Sequence, residues 1–599
     1  DQQKFLVALG YDHNKNTLAG NGFKRITGRL NNTYKLLKNK VEITAGINFM
    51  SGTTDANYSI NDISLNNIGL YPYASLADQN GNPLPVAKFH RLSYLDGLEV
   101  SNPDLLSWKY YPLNELNNTT NTNKKVQYDL QLSARYKVIT ALNAELLYQY
   151  SKGTGDQTNL KSINSYYARD QINRFTAVNT DGSLIRPVPL GGIRDLNLSN
   201  YFNHNLRGQL NFNKQITEQH DISAIAGYEI RHSNSISNQA RQYGYDDDHA
   251  TASIVDYMGN YKLFITPSTS NQISNHDGIS DETDRFISWY ANTGYRYKER
   301  YLFSASARLD RSNIFGVNTN QKGVPLWSAG IGWELSNEAF YRSALLPYIK
   351  FRLTYGYNGN VDNSLSAFTT ALYNNGSGNQ NNKGTRLPYA TIINPPNPEL
   401  RWERVRIINA GVDFGLKSNR LSGGLEVYRK KGIDLIGTSP ISPTTGISVF
   451  TGNTAFTTGN GIDINLNSIN IKGVWGWETR YLFSYVSDRI DKYLTKSANN
   501  VVNDYVLNRL PLEGKPQFAI YSFQSAGLDP QTGESRGYVN GEISKDYAEI
   551  VNNGTLSDIN YHGSRRPVIF GALRNTLRWK QLSASFNVSY RAGYYFRKT

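Results

Sequence analysis

The chain has 599 residues, a net charge of +14, 39% hydrophobic residues and a mean hydropathy of −0.52. No run of roughly 18 apolar residues exists, which excludes a helical membrane protein but not a membrane barrel, where half of each strand and all loops are polar. Lys and Arg are scattered rather than massed, which argues against nucleic acid as a partner, and the absence of Cys excludes disulfides and thiolate chemistry.

A hydrophobic pattern of period two runs from end to end. In a strand, alternate side chains point to opposite faces. Phe5, Val7, Leu9 and Tyr11 open the series, followed by Ile26–Tyr34 and Val41–Phe49. In 126–136, Val126, Tyr128, Leu130, Leu132, Ala134 and Tyr136 face one way, with Gln127, Asp129, Gln131, Ser133 and Arg135 opposite. The pattern returns at 142–150, 206–212, 222–230, 287–297, 301–309, 327–333, 349–357, 408–416, 421–428, 462–466, 475–485, 568–579 and 582–590. That makes roughly 17 strands and an all-β chain. Such strands need apolar surroundings on one side and water on the other, as in a soluble sandwich or in a lipid-embedded barrel with a wet interior. Tyr, at 42 residues, suits the rims of a barrel, although it also favours strands in general.

The spacing between strands alternates as well. Short turns fall at Lys35–Lys40, Ile139–Ala141, Lys214–His220 and Lys417–Arg420. Long polar segments fall at Ser51–Lys125, Ser151–Asn203, Ser233–Asp284, Asn358–Trp402 and Ser487–Arg566. Short periplasmic turns and long extracellular loops are the layout of a transmembrane antiparallel β-barrel. No repeat of 20–50 residues marks a propeller or solenoid. Glu338–Leu346 is expected to form a short helix at a periplasmic turn.

Tyr301–Tyr341 reads YLFSASARLDRSNIFGVNTNQKGVPLWSAGIGWELSNEAFY. It resembles a segment of SusC/RagA-type TonB-dependent outer-membrane transporters of Bacteroidetes: R-x-D-x-S, then F-G, then W-x-x-x-x-E. The matching residues are Arg308, Asp310, Ser312, Phe315, Gly316, Trp333 and Glu338. Lys350–Gly356, including Arg352, with Gly359-Asn360 is similar to the family's K-x-R-x-S-Y-G…G-N. Asn397-Pro398-Glu399-Leu400-Arg401-Trp402-Glu403 is similar to its N-P-x-L-K-W-E. Tyr428–Leu435 (YRKKGIDL) is similar to its Y-x-K-x-T-x-D-L, and Gly527–Pro530 and Pro567–Gly571 to later elements. The likeness is clearest over 285–592.

The resemblance implies a 22-stranded class of barrel, incomplete here. Residues 1–599 would be a partial TonB-dependent receptor β-barrel domain. The family's N-terminal plug and TonB-contacting segment would lie before Asp1, and further strands would follow Leu582–Tyr590. It also implies TonB-energised import of oligosaccharides, or peptides, delivered by a SusD-like surface lipoprotein and driven by the TonB–ExbB–ExbD complex. The chain would be a multi-pass protein of the cell outer membrane, in contact with its lipid, and would carry no cofactor. A passive porin, an adhesin barrel and a TonB-dependent siderophore receptor are the alternatives.

Sugars are often held by aromatic faces with neighbouring polar groups. Trp108, Tyr110, Tyr111, Tyr166, Tyr167, Tyr243 and Tyr245, all near long loops, are the ligand-contact candidates, with loop packing as the competing role. Arg308 and Asp310 are expected to pair and fix a loop. No H-E-x-x-H, G-x-S-x-G or Walker A sequence occurs, and no residue is nominated as catalytic or metal-ligating. Asp246-Asp247-Asp248-His249 is read as a solvated turn rather than a cation site. No enzymatic activity is expected.

Overall fold

The computed structural model describes residues 2–58, 70–71, 73–313, 323–362, 365–374, 387, 389–440, 442, 444, 449–494, 503–507 and 509–597. Its main sheet has 18 strands. One of them, Thr251–Ser253, is three residues long; the other 17 are the strands the alternating pattern implies. They are β1 (Gln3–Lys15), β2 (Gly22–Leu36), β3 (Val41–Asp55), β4 (Thr119–Ile139), β5 (Leu142–Lys161), β6 (Gly192–Thr217) and β7 (His220–Asp246). Then come β8 (Gly278–Tyr297), β9 (Tyr301–Ser312), β10 (Pro325–Trp333), β11 (Tyr348–Asn360) and β12 (Glu403–Gly415). The series ends with β13 (Leu421–Pro440), β14 (Val449–Ile471), β15 (Trp475–Tyr493), β16 (Ile569–Trp579) and β17 (Leu582–Ala592).

Each strand pairs antiparallel with the next in sequence. Register matches the apolar positions across strands, because a slip of one residue would send every side chain to the other face. Leu30, Ile47, Leu130 and Tyr150 form one row through β2–β5. Tyr301, Trp333, Phe351 and Val412 form another through β9–β12. These residues do not converge on a core. Ile47, Leu132, Leu146, Phe303, Ile331 and Leu353 are all exposed on the open face of the sheet, a surface far too apolar for water.

The opposite face is polar and cross-linked. Arg135 lies 3.8 Å from Glu42 and 3.3 Å from Glu145 on the flanking strands. Arg352 reaches Asp413 at 2.7 Å and Glu426 at 2.8 Å. Arg296 reaches Asp221 at 2.9 Å. Apolar outside and polar inside is the inversion a lipid-embedded barrel requires.

Seven of the eight links at one rim, from β2–β3 through β16–β17, are short turns, the exception being the β10–β11 link at 334–347, and the longest segments lie at the other rim. Two expectations change. Glu338–Leu346 is not helical; a 3-10 turn at Leu335–Asn337 precedes it, and Glu338 itself is held as a side-chain acceptor. The long loops are also shorter than their polar sequences imply. β5 runs on to Lys161 and β7 to Asp246, with 26 residues in β6 and 27 in β7. A strand needs about 9–11 residues to cross the bilayer. Beyond that distance both faces meet water, so alternation fades while the ladder continues.

Candidate functional site

The segments joining β3 to β4, β5 to β6 and β7 to β8 fold together over the long-loop rim. They supply α1 (Leu92–Ser101), α2 (Pro112–Asn118) and α3 (Tyr166–Phe175). Ser165 caps α3, its hydroxyl accepting the Ala168 N–H at 3.2 Å. Val86, Leu95, Trp108, Tyr110 and Tyr166 form one buried cluster. Ala168, Ile172, Phe175, Val188, Ile193, Tyr243, Val255 and Ile273 form a second.

Several polar side chains inside this cap are paired with one another. Trp108 Nε1 donates to Asp170 Oδ1 at 2.9 Å, and Arg174 pairs with the other Asp170 oxygen at 2.6 Å. The Asn173 amide clamps Leu106, accepting its N–H at 3.1 Å and donating to its carbonyl at 2.6 Å. The Tyr58 and Tyr110 hydroxyls meet at 2.7 Å, and the Lys88 ammonium lies 4.2 Å from the centre of the Tyr110 ring. Arg241 makes a two-pronged pair with Asp195, at 2.5 and 2.8 Å, and donates to the Tyr167 hydroxyl at 3.1 Å.

The seven aromatic candidates are therefore placed as follows. Trp108, Tyr110 and Tyr166 share the first cluster, with 4%, 2% and 7% of their surface exposed. Tyr243 is central to the second at 1% exposure, and Tyr167 packs against it half-buried. Tyr245 is buried beside the Arg194 guanidinium, and Tyr111 immediately precedes α2, half-buried. The structure gathers six of them into the packed base of one cap, with protein against their ring faces. The 246–249 turn closes on itself, His249 meeting Asp246 at 2.6 Å.

One carboxylate in the cap is out of its usual range. Glu115 is buried, and burial raises its pKa, while the Tyr166 N–H, donating to it at 2.8 Å, pulls the other way. A raised folded-state value means that the neutral form is favoured more in the cap than in the unfolded chain. The stabilising contribution is complete below the unfolded-state pKa and is lost as pH rises through the folded one. Hydrogen-exchange protection of the α3 amides should fall across that acidic window, and Glu115→Gln should abolish this component of the slope; an unchanged slope would refute the assignment.

The family-motif residues lie elsewhere. At the short-turn rim, Glu338 accepts from the Tyr301 hydroxyl at 2.6 Å and Trp333 Nε1 at 3.1 Å, and pairs with Arg300 at 3.1 Å. On the polar face Arg308 pairs with Asp310 at 2.8 Å and donates to the Ser288 hydroxyl at 3.1 Å; Ser312 is buried at the end of the same strand. A Cβ on Gly356 would stand 2.5 Å from Ser328 Cβ, so β10 and β11 approach too closely there for a side chain. Phe315 and Gly316 lie outside the described residues.

Asn397, Leu400 and Trp402 are buried where the segment before β12 meets β8, with Pro398 at the same bend. Glu403 accepts from the Ile436 N–H at 2.7 Å and from the Asn360 amide at 2.9 Å. The centre of this joint is Asp434, which the sequence reading did not single out. Arg401 reaches it at 2.7 Å and Arg404 at 2.5 Å. Asn453 donates to the carbonyls of Asp434 and Arg401 at 2.6 and 2.8 Å. Two motif stretches, 397–403 and 428–435, thus meet through an ion pair. Asp434 is the acid of the second stretch, which was the available signal. The Arg241–Asp195 pair had none.

Below this joint, Tyr428 lines a recess of about 460 Å3 on the polar face, with Lys430, Asp488, Phe518 and Arg566. Lys430 stands 4.5 Å from the Tyr428 ring centre and Arg566 3.5 Å from that of Phe518. Aromatic faces, cations and a carboxylate around one hollow can hold a polar, ring-bearing or zwitterionic solute.

The model of the family described as TonB dependent receptor-like, beta-barrel, matches residues 52–596. TonB-dependent receptor P39 of Formosa agariphila is 25% identical over 82% of this chain and 42% of its own length. TonB-dependent receptor SusC of Bacteroides thetaiotaomicron is 26% identical over 34% of this chain and 21% of its own. Among solved structures, the RagAB peptide importer in its closed-closed state superposes with a TM-score of 0.75 at 17% identity, covering 99% of this chain and 61% of that one. This chain thus spans less than two thirds of the length of these relatives.

Proposed function

Because the chain belongs to the TonB dependent receptor-like, beta-barrel family and is similar to SusC, we propose that it is the barrel wall of an energised outer-membrane importer. In this reading the wall works with a plug, draws on the TonB–ExbB–ExbD complex, and takes oligosaccharides or peptides from a SusD-like surface lipoprotein. The observation that carries the reading is the polar-face recess around Tyr428, set in a sheet whose other face is apolar. The likeness to SusC and to the RagAB peptide importer supports it. No catalytic step is assigned to the chain.

The test is uptake by whole cells carrying or lacking the gene. Labelled oligosaccharide and labelled peptide pools are offered separately, with and without a protonophore. Gene-dependent uptake that collapses with the proton gradient supports an importer, and the pool taken up names the cargo class. Gene-dependent uptake that survives the protonophore would instead establish a passive pore.

A further inference from the structure

Cations recur on the apolar face of the sheet at the long-loop end of its greasy band. Lys24 precedes Ile26, Lys152 follows Tyr150, Arg285 precedes Ile287 and Arg311 follows Leu309, each on the same face as its apolar neighbour. All four side chains are exposed. Among the described residues none has a carboxylate within ion-pair distance. The carboxylates sharing this face, such as Asp281 and Asp491, stand further toward the loops.

The densest group spans β12 and β13. Arg406 and Lys431 are direct cross-strand partners, and Arg429 stands opposite Ile408, one row nearer the band. Like charges placed directly opposite destabilise a sheet. Nearby cations have found acids: Arg404 pairs with Asp434 and Arg489 with Asp491. Arg406, Arg429 and Lys431 have no such partner among the described residues. Beside them the Trp327 ring lies tilted, its centre 5.6 Å from that of Tyr355 and 5.8 Å from that of Tyr357, and the two tyrosine hydroxyls are 3.0 Å apart. Amphipathic rings of this kind settle at the headgroup level of a bilayer.

We propose that Arg406, Arg429 and Lys431 form a docking site for the phosphate groups of lipid headgroups in the outer leaflet. The occupant is argued from position and charge. The cluster is continuous with the lipid-facing band, so what reaches it is lipid. It is of one sign, so the headgroup is anionic. Arg offers a planar fork to phosphate oxygens, and Lys a point charge. The aromatic trio holds the acyl–headgroup boundary level with them, and a phosphate between Arg406 and Lys431 turns their repulsion into two attractions.

The test uses the full-length protein in detergent, with lipid A carrying its phosphates and the same lipid after enzymatic dephosphorylation, scored by native mass spectrometry. Wild type should prefer the phosphorylated lipid. Arg406→Gln/Lys431→Gln should weaken that binding about 25-fold, at about a factor of five per cation near an anionic surface. Arg135→Gln/Arg296→Gln, on the polar face, should leave it unchanged. Equal binding of both lipids by wild type, or an unaffected double variant, would overturn the proposal; so would inorganic phosphate at millimolar concentration displacing the lipid. Wild-type discrimination between the two lipids, and its loss in high salt, decide the matter even if the variant does not fold.

Discussion

Leu132→Arg in the full-length protein should lower the free energy of folding into bilayers by about 2–4 kcal/mol, the cost of a cation on a barrel's lipid face near mid-depth. Leu132 lies midway along the apolar row Val126–Tyr136, opposite Ala45 on one side and Tyr148 on the other, and is 52% exposed. Nothing in the fold covers it, so lipid is its only apolar environment. Gln131→Arg is the matched control, one residue away and facing the polar wall beside Gln149. Its effect should stay within about 0.5 kcal/mol, as for an ordinary wet-surface change. Reversible urea unfolding from vesicles measures both. Equal losses at the two positions would mean that the faces do not differ in solvent, and the membrane orientation would fall.

Asp434→Asn should cost about 3 kcal/mol at the joint between the 397–403 segment and β13. Removing one partner of a buried ion pair costs about 3–5 kcal/mol because the remaining charge is left uncompensated. The lower end applies because Asp434 is 4% exposed but Arg401 and Arg404 keep 33% and 35% of their side-chain surface in water. Asn is the informative replacement. Asp434 has φ +59°, a left-handed conformation that Asn tolerates nearly as well as Asp. The substitution therefore removes charge without adding backbone strain. Faster hydrogen exchange confined to residues 397–404 and 452–455 is the expected signature. Unchanged protection there would show that the backbone ladder holds the joint without the ion pair.

The strands were legible because lipid imposes a strict rule: within the band, every second residue must be apolar. Tyr128, Leu130 and Leu132 could be assigned to a face from spacing alone, and their partners Phe49, Ile47 and Ala45 followed the same rule. Outside the band the rule lapses. The upper halves of β6 and β7 are polar on both faces, so Asn197 opposite Gln239 reads like loop. The helix expected at Glu338–Leu346 failed for a related reason. Its composition suits a helix, but Glu338 is committed to Tyr301, Trp333 and Arg300 across the turn.

The cap was legible only as a collection of aromatics. Trp108 and Asp170 are 62 residues apart, and Arg241 and Asp195 are 46 apart. No local spacing announces such pairs; the sheet brings them together by returning each long segment to the same rim. Motif likeness reaches further at the Asp434 joint, because each of the two stretches that meet there, 397–403 and 428–435, carries a family pattern of its own.

The overlong strands also bear on recognition at the rim. A flexible loop that orders on contact loses about 1–2 kcal/mol of backbone freedom per residue, and affinity falls accordingly. In β6 and β7 the backbone rising toward the cap is already fixed by ladder hydrogen bonds, from Asn197–Gln239 down to Phe212–Ala224. A partner alighting there meets a surface ordered when the chain folded, and its residence time is set by contact chemistry rather than by immobilising the wall.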